Sequence, residues 1–140
     1  MGRTALLSAA AIIILGAVLV WTLRPTPYFP VARIAAPEGV TLSFLQDQAP
    51  SEADCQTANQ RATAAMLASC KECSLAEARC VDTRPKELGQ TTPGAQDMVA
   101  AKNLQILVTA PPAAAHALCQ TLAAGIGAND PTAKCVQAAD

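Results

Sequence analysis

Aromatic side chains are scarce in this 140-residue chain, which holds one Trp, one Tyr and two Phe. Beyond residue 38 the only one is Phe44, and alanine supplies much of the remaining apolar content. A methyl group removes little area from water, so at about 25 cal/mol per Å² the core is thin. A small domain of this kind needs staples. Histidine is scarcer still, with His116 alone. No base stands beside a Ser, Thr or Cys in a recognisable pattern, so a hydrolytic triad lacks parts. An excess of positive charge is also missing. From Glu38 onward seven Lys/Arg stand against eleven Asp/Glu. That excludes the basic face that nucleic acid requires and strong docking on anionic lipid. No repeated segment is visible in the sequence.

Two features are present in strength. Residues 4 to 23 (TALLSAAAIIILGAVLVWTL) carry no charge, and every one of the six cysteines lies after them. An apolar run of about 20 residues has the length of a membrane-spanning helix. Trp21 sits at its far end, where an amphipathic ring favours the interface, and Pro25 and Pro27 stop it. The residues Trp21 to Pro25 offer no small-x-small cleavage site, which favours an uncleaved anchor over a signal peptide. Arg3 on one flank and Arg24 and Arg33 on the other nearly balance the positive-inside bias. Cysteines persist as disulfides outside the cytosol. The expectation is therefore a bacterial inner-membrane protein with a cytoplasmic N-terminus and a periplasmic C-terminal domain, in contact with membrane lipid through residues 4–23.

The expected organisation is a cytoplasmic tip and transmembrane helix over 1–24, a Pro-rich linker over 25–38 and an α+β domain over 39–140. The four prolines of residues 24–37 make a stiff spacer, and Tyr28 and Phe29 suit the bilayer surface. Val40 to Gln46 alternates as a strand. Ser51 reads as an N-cap, with Glu52 and Asp54 in the first turn of a helix that runs to about Ser69. Its inward stripe is expected at Cys55, Ala58, Ala62, Ala65, Met66 and Ser69. Ser74 to Asp82 alternates again, with Ala76, Ala78 and Cys80 on one face and Glu77 and Arg79 on the other. Thr83 to Gln96 reads as a long loop, with one helical turn at Pro85 to Leu88. Leu104, Ile106 and Val108 mark a strand. Pro111 and Pro112 suit the start of a second helix, with Ala115, Leu118, Cys119, Leu122 and Ile126 at helical spacing. A last strand fits Thr132 to Gln137.

Six cysteines allow fifteen pairings. In a right-handed βαβ unit, the start of the first helix and the end of the second strand lie at one end of the sheet. That geometry favours Cys55–Cys80. Cys119 and Cys135 both face inward from the second helix and last strand, and Cys70–Cys73 remains. Two chemical alternatives compete with structural staples. Cys70 and Cys73 form a C-x-x-C that a thiol-disulfide enzyme could use. Cys70, however, falls at a helix C-terminus, where the dipole opposes a thiolate. Cys70, Cys73 and Cys80 with His116 could make a Cys₃His zinc set, but an oxidising compartment favours disulfides and a surface histidine. Arg79, Arg84 and Lys86 form the densest basic cluster, which a solvated strand end accounts for. No catalytic residue, metal ligand or cofactor is assigned.

The order strand, helix, strand, strand, helix, strand resembles the ferredoxin-like α+β sandwich. The peptidoglycan-binding SPOR domains share that order, but no SPOR-specific signature is present, so their ligand is not carried over. The stretch VTLSFLQ…SEADCQTANQRATAAMLASCKECSLAEARCVD, residues 40–82, resembles extracytoplasmic accessory segments of bacterial surface-polysaccharide biosynthesis proteins. The cysteine after SEAD, the SCKEC pair and the ARC strand carry that resemblance. It implies an accessory subunit without a transferase site. The expected fold class is α+β: an N-terminal transmembrane helix followed by a small disulfide-stapled ferredoxin-like (βαββαβ) domain. The expected function is non-catalytic binding or assembly with a protein partner in a membrane complex, the alternative being a redox protein using Cys70 and Cys73.

Overall fold

The computed structural model describes residues 26–85 and 95–137. They form one six-stranded sheet and two helices. In chain order these are β1 (Phe29–Ala35), β2 (Thr41–Gln46), α1 (Glu52–Ser69), β3 (Ser74–Val81), β4 (Ala95–Ala100), β5 (Leu104–Ala110), α2 (Pro112–Gly127) and β6 (Lys134–Gln137). The strand order is β3-β1-β2-β5-β4-β6, and every pairing is antiparallel.

This corrects the βαββαβ expectation. Two strands were hidden. β1 lies within the stretch expected as a stiff linker. Its Pro30 stands near the strand start, where proline is tolerated, and Ala32 and Ile34 beyond it are fully buried. β4 overlaps the end of the expected loop. Its inward positions are Asp97 and Val99, and an aspartate in the alternation conceals the strand. The helical turn expected at Pro85 to Leu88 extends outside the described residues. The expected transmembrane helix is not part of the described fold. Among the described residues no helix is long and apolar enough to cross a membrane, and residues 4–23 lie outside them. Tyr28 bridges to Ala49 through two backbone hydrogen bonds of 3.1 and 2.6 Å, and Phe29 opens β1 opposite Val81.

The sheet is built from two copies of one unit, a hairpin followed by a helix and a third strand that returns beside the first. In the first copy β3 pairs β1; in the second β6 pairs β4. The register repeats as well. Ile34 lies between Leu42 and Leu75, as Val99 lies between Ile106 and Cys135. Ala32 opposite Phe44 corresponds to Asp97 opposite Val108. The two copies meet where Leu42 pairs Val108 and Phe44 pairs Ile106. A pseudo-twofold through the Ser43–Leu107 pair exchanges them. The buried helix positions follow suit: Cys55, Asn59 and Thr63 in α1 answer to Ala115, Cys119 and Ala123 in α2. Even the turn after each helix matches. Cys70 N–H donates to Met66 O and Cys73 N–H to Cys70 O, while Asp130 N–H donates to Ile126 O and Ala133 N–H to Asp130 O.

Both helices pack on one face of the sheet. The core joins Ala32, Ile34, Leu42 and Phe44 of the first copy to Val99, Ile106, Val108, Cys119 and Ala123 of the second. Phe44 is its largest side chain, 3 % exposed. The α1 stripe differs from the expectation. Asn59 and Thr63 take the central buried positions, Ala58, Ala62 and Met66 are half-buried, and Ala65 and Ser69 are exposed. A period of 3.6 places residues four apart on one face, and here two of those residues are polar. Ser51 caps α1, its hydroxyl accepting from Asp54 N–H at 3.1 Å.

Candidate functional site

Each helix is fastened to its sheet half by one covalent and one polar clip. In the first repeat Cys55, fully buried in the first turns of α1, is bonded to Cys80 near the end of β3, with Cα atoms 6.1 Å apart. Asn59, one turn on, donates from Nδ2 to Arg79 O at 2.9 Å and to Val31 O at 3.3 Å. One amide therefore ties α1 to β1 and β3 together. Its Oδ1 is buried and accepts nothing. Thr63 satisfies itself by donating to Asn59 O at 2.8 Å.

Between α1 and β3 lies an open cavity of about 260 Å³, lined by Glu52, Gln56, Asn59, Gln60, Leu75 and Arg79 among others. The α1 wall is polar, with three amides and Glu52, the β3 wall carries Leu75, Ala78 and Cys80, and no aromatic ring lines it. β3 forms its outer rim and pairs only with β1 among the described residues. Leu75 on that strand is 46 % exposed, the most exposed large apolar side chain described. Glu77 and Arg79 point to the sheet face away from the helices. There Arg79 Nε meets Glu77 Oε1 at 2.6 Å, and Arg33 Nη1 lies 3.9 Å from Glu77 Oε2.

In the second repeat Cys119, fully buried in α2, is bonded to Cys135 in β6, with Cα atoms 5.6 Å apart. The polar clip is His116 on α2, whose Nδ1 lies 3.0 Å from Asp97 Oδ2 on β4. Asp97 is 7 % exposed, whereas the imidazole is largely open to solvent. Gln120 reaches the other ring nitrogen, its Nε2 lying 2.9 Å from Nε2 of His116. Cys135 Sγ is 4.0 Å from Nδ1. Ligand atoms of Asp97, His116 and Cys135 all fall within 4.8 Å of one another.

The structure thus brings together each cysteine pair expected from the sequence. Cys70–Cys73 closes the turn after α1 with Cα atoms 5.3 Å apart. Cys70 is the C-cap of α1, at the negative end of the helix dipole, where a thiolate is disfavoured. The Cys₃His set is not assembled, because Cys80 is bonded to Cys55 and His116 contacts Asp97, Gln120 and Cys135 instead. No serine, threonine or free thiol lies beside His116 among the described residues. The basic cluster disperses. Arg79 pairs with Glu77, while Arg84 lies 3.9 Å from Asp47 and over the Phe29 ring; Lys86 is outside the described residues.

Sequence reasoning missed Asp97 and Asn59. A lone aspartate beside Met98 and Val99 gave the only signal for the first, and the four-residue step Cys55, Asn59, Thr63 for the second. The turn after α2 holds another polar device. Asp130 Oδ1 accepts from Thr132 Oγ1 and N–H at 2.6 and 2.9 Å, and Oδ2 accepts from Lys102 N–H at 2.8 Å. These bonds, led by that from the Thr132 side chain, hold the carboxyl below the usual carboxylate range.

Comparison with protein-family models, with curated proteins and with solved structures finds no match to this chain.

Proposed function

We propose that this chain is a non-catalytic binding and assembly module that works outside the cytoplasm, receiving an extended segment of a protein partner along β3. The observation that carries the reading is the β3 edge with the groove behind it. An eight-residue strand, Ser74–Val81, has one side free of strand partners among the described residues. Its backbone groups can extend the sheet by one more strand, while the groove takes alternate side chains of the guest. β6, at the opposite edge, has four residues and begins with Lys134, the short, charged form that discourages pairing. Three disulfides in so small a domain support an oxidising compartment. The resemblance of residues 40–82 to accessory segments of surface-polysaccharide biosynthesis proteins points to a subunit of such machinery as the partner.

Site-specific photo-crosslinking in the bacterial host tests the reading. A photoreactive residue at Leu75 or Ala78 is expected to give one discrete protein adduct, and the same residue at exposed Ala64 of α1 none. Leu75→Glu should reduce the Ala78 adduct. Equal labelling from position 64, or no adduct from β3, would count against β3 as the contact.

A further inference from the structure

The two repeats differ where the second carries its polar cluster. Ala32, Gln56, Asn59 and Leu75 of the first repeat correspond to Asp97, His116, Cys119 and Cys135 of the second. Apart from a register shift between Arg33 and Ile34, the first repeat keeps the pairing with Ala, Gln, Asn and Leu at these four positions, its own disulfide joining Cys55 and Cys80 instead. The backbone framework therefore does not require the second repeat's four side chains, least of all a carboxylate 7 % exposed at a core position that is alanine in the other copy. Aspartate, histidine and two cysteines are also the residue types that bind zinc.

We propose that the second repeat is a zinc site when Cys119–Cys135 is reduced, with both thiolates, His116 Nδ1 and the Asp97 carboxylate as ligands. A tetrahedral ion with bonds of about 2.0–2.3 Å sets its N and O ligands about 3.4 Å apart and N and S about 3.6 Å apart. The observed separations are 3.0 Å from His116 Nδ1 to Asp97 Oδ2 and 4.0 Å from Nδ1 to Cys135 Sγ. The Nδ1–Oδ2 pair must open by about 0.4 Å, and Nδ1 and Cys135 Sγ must close by about as much. Cys119 Sγ, which lies outside the Asp97–His116–Cys135 cluster, must leave its partner and turn toward the cluster, to a sulfur–sulfur separation of about 3.8 Å. The site draws on β4, α2 and β6, and disulfide formation closes it. The zinc form belongs to the reduced chain, before an oxidising compartment closes the disulfide, and does not depend on the β3 edge.

The chemistry balances with a dithiol as reductant. Its thiolate attacks Cys135 Sγ, the more exposed sulfur, and the disulfide bond breaks with Cys119 leaving as thiolate. The reductant's second thiol then displaces Cys135, and the reductant departs as a cyclic disulfide. Two electrons and two protons pass to the protein. Zinc binding then releases the two thiol protons, and the imidazole proton resides on Nε2, where the Gln120 amide oxygen can accept it after rotation. A metal-bound histidine commonly has such a partner on its second nitrogen.

The test uses the full chain, reduced with a phosphine without oxygen and titrated with Zn²⁺, then with Co²⁺ as a spectroscopic probe. One metal ion should bind per chain. Cobalt should give a thiolate charge-transfer band, and zinc should raise the melting temperature of the reduced protein. The Cys70→Ser/Cys73→Ser variant should retain all three effects. His116→Ala, at an exposed position, should weaken binding on the order of a hundredfold, since even outer-shell losses cost 10–100-fold. The oxidised protein, left with two ligands, should bind at least as weakly. Undiminished binding in His116→Ala, loss of binding in Cys70→Ser/Cys73→Ser, or tight binding to the oxidised protein overturns the proposal. So does a reduced chain that unfolds and that zinc fails to refold.

Discussion

Removing Cys119–Cys135 should destabilise the domain clearly more than removing Cys70–Cys73. The two bridges span 16 and 3 residues of sequence. Loop-closure entropy then assigns roughly 3 kcal/mol to the first and roughly 1.6 kcal/mol to the second. The structure widens the gap. Cys119 is fully buried against the core, so its loss also leaves a void. The turn closed by Cys70–Cys73 has a counterpart after α2 that keeps the same backbone hydrogen bonds without a disulfide. For a domain of this size each kcal/mol moves the melting temperature by about 4–8 °C. Cys119→Ala/Cys135→Ala should therefore melt roughly 12–24 °C below the parent, and Cys70→Ala/Cys73→Ala roughly 6–12 °C below it. Far-UV circular dichroism melts under non-reducing conditions measure both. An equal or larger drop for the Cys70/Cys73 variant would refute the reasoning.

Two further outcomes follow from the polar clips. Asn59→Ala leaves the carbonyls of Val31 and Arg79 without their side-chain donor, which should cost about 1–3 kcal/mol in urea denaturation; a change under about 0.5 kcal/mol would show the clip to be idle. Asp130, held below its ordinary range when folded, adds stability that is complete above the unfolded carboxylate value near pH 4 and is lost as pH falls through the lower folded value. Asp130→Asn should accordingly show a shallower decline of melting temperature between pH 5 and pH 2 than the parent, and identical acid limbs would contradict the assignment.

Both helices could be read from the sequence because their signals are local. Ser51 with Glu52 and Asp54, and Pro111 with Pro112, mark helix starts whatever the rest of the chain does. The strands Thr41–Gln46 and Leu104–Ala110 declared themselves by alternation. The cysteine pairs were also legible, although the parallel βαβ geometry used to infer them does not occur. A strand that follows a helix and runs antiparallel beside the hairpin still brings the helix start near the strand end, so Cys55 meets Cys80 in either topology.

Tertiary structure decided what no local pattern encodes. β1 and β4 carry Pro30 and Asp97, which break the apolar alternation, so each is a strand only because neighbours supply its hydrogen bonds and cover its inner face. The two repeats share register and burial but almost no residue identities: Cys55 answers to Ala115, Asn59 to Cys119 and Ala32 to Asp97. A packed sheet fixes which positions face the helices and roughly how much volume they fill, not which side chains fill them. The meeting of Asp97, His116 and Cys135 likewise depends on three separate elements converging. Sequence by itself determined the helices, four of the six strands and the cysteine framework; the doubled sheet and the cluster at its second end arose only from strand pairing, because long-range hydrogen bonding leaves no mark at fixed spacing along the chain.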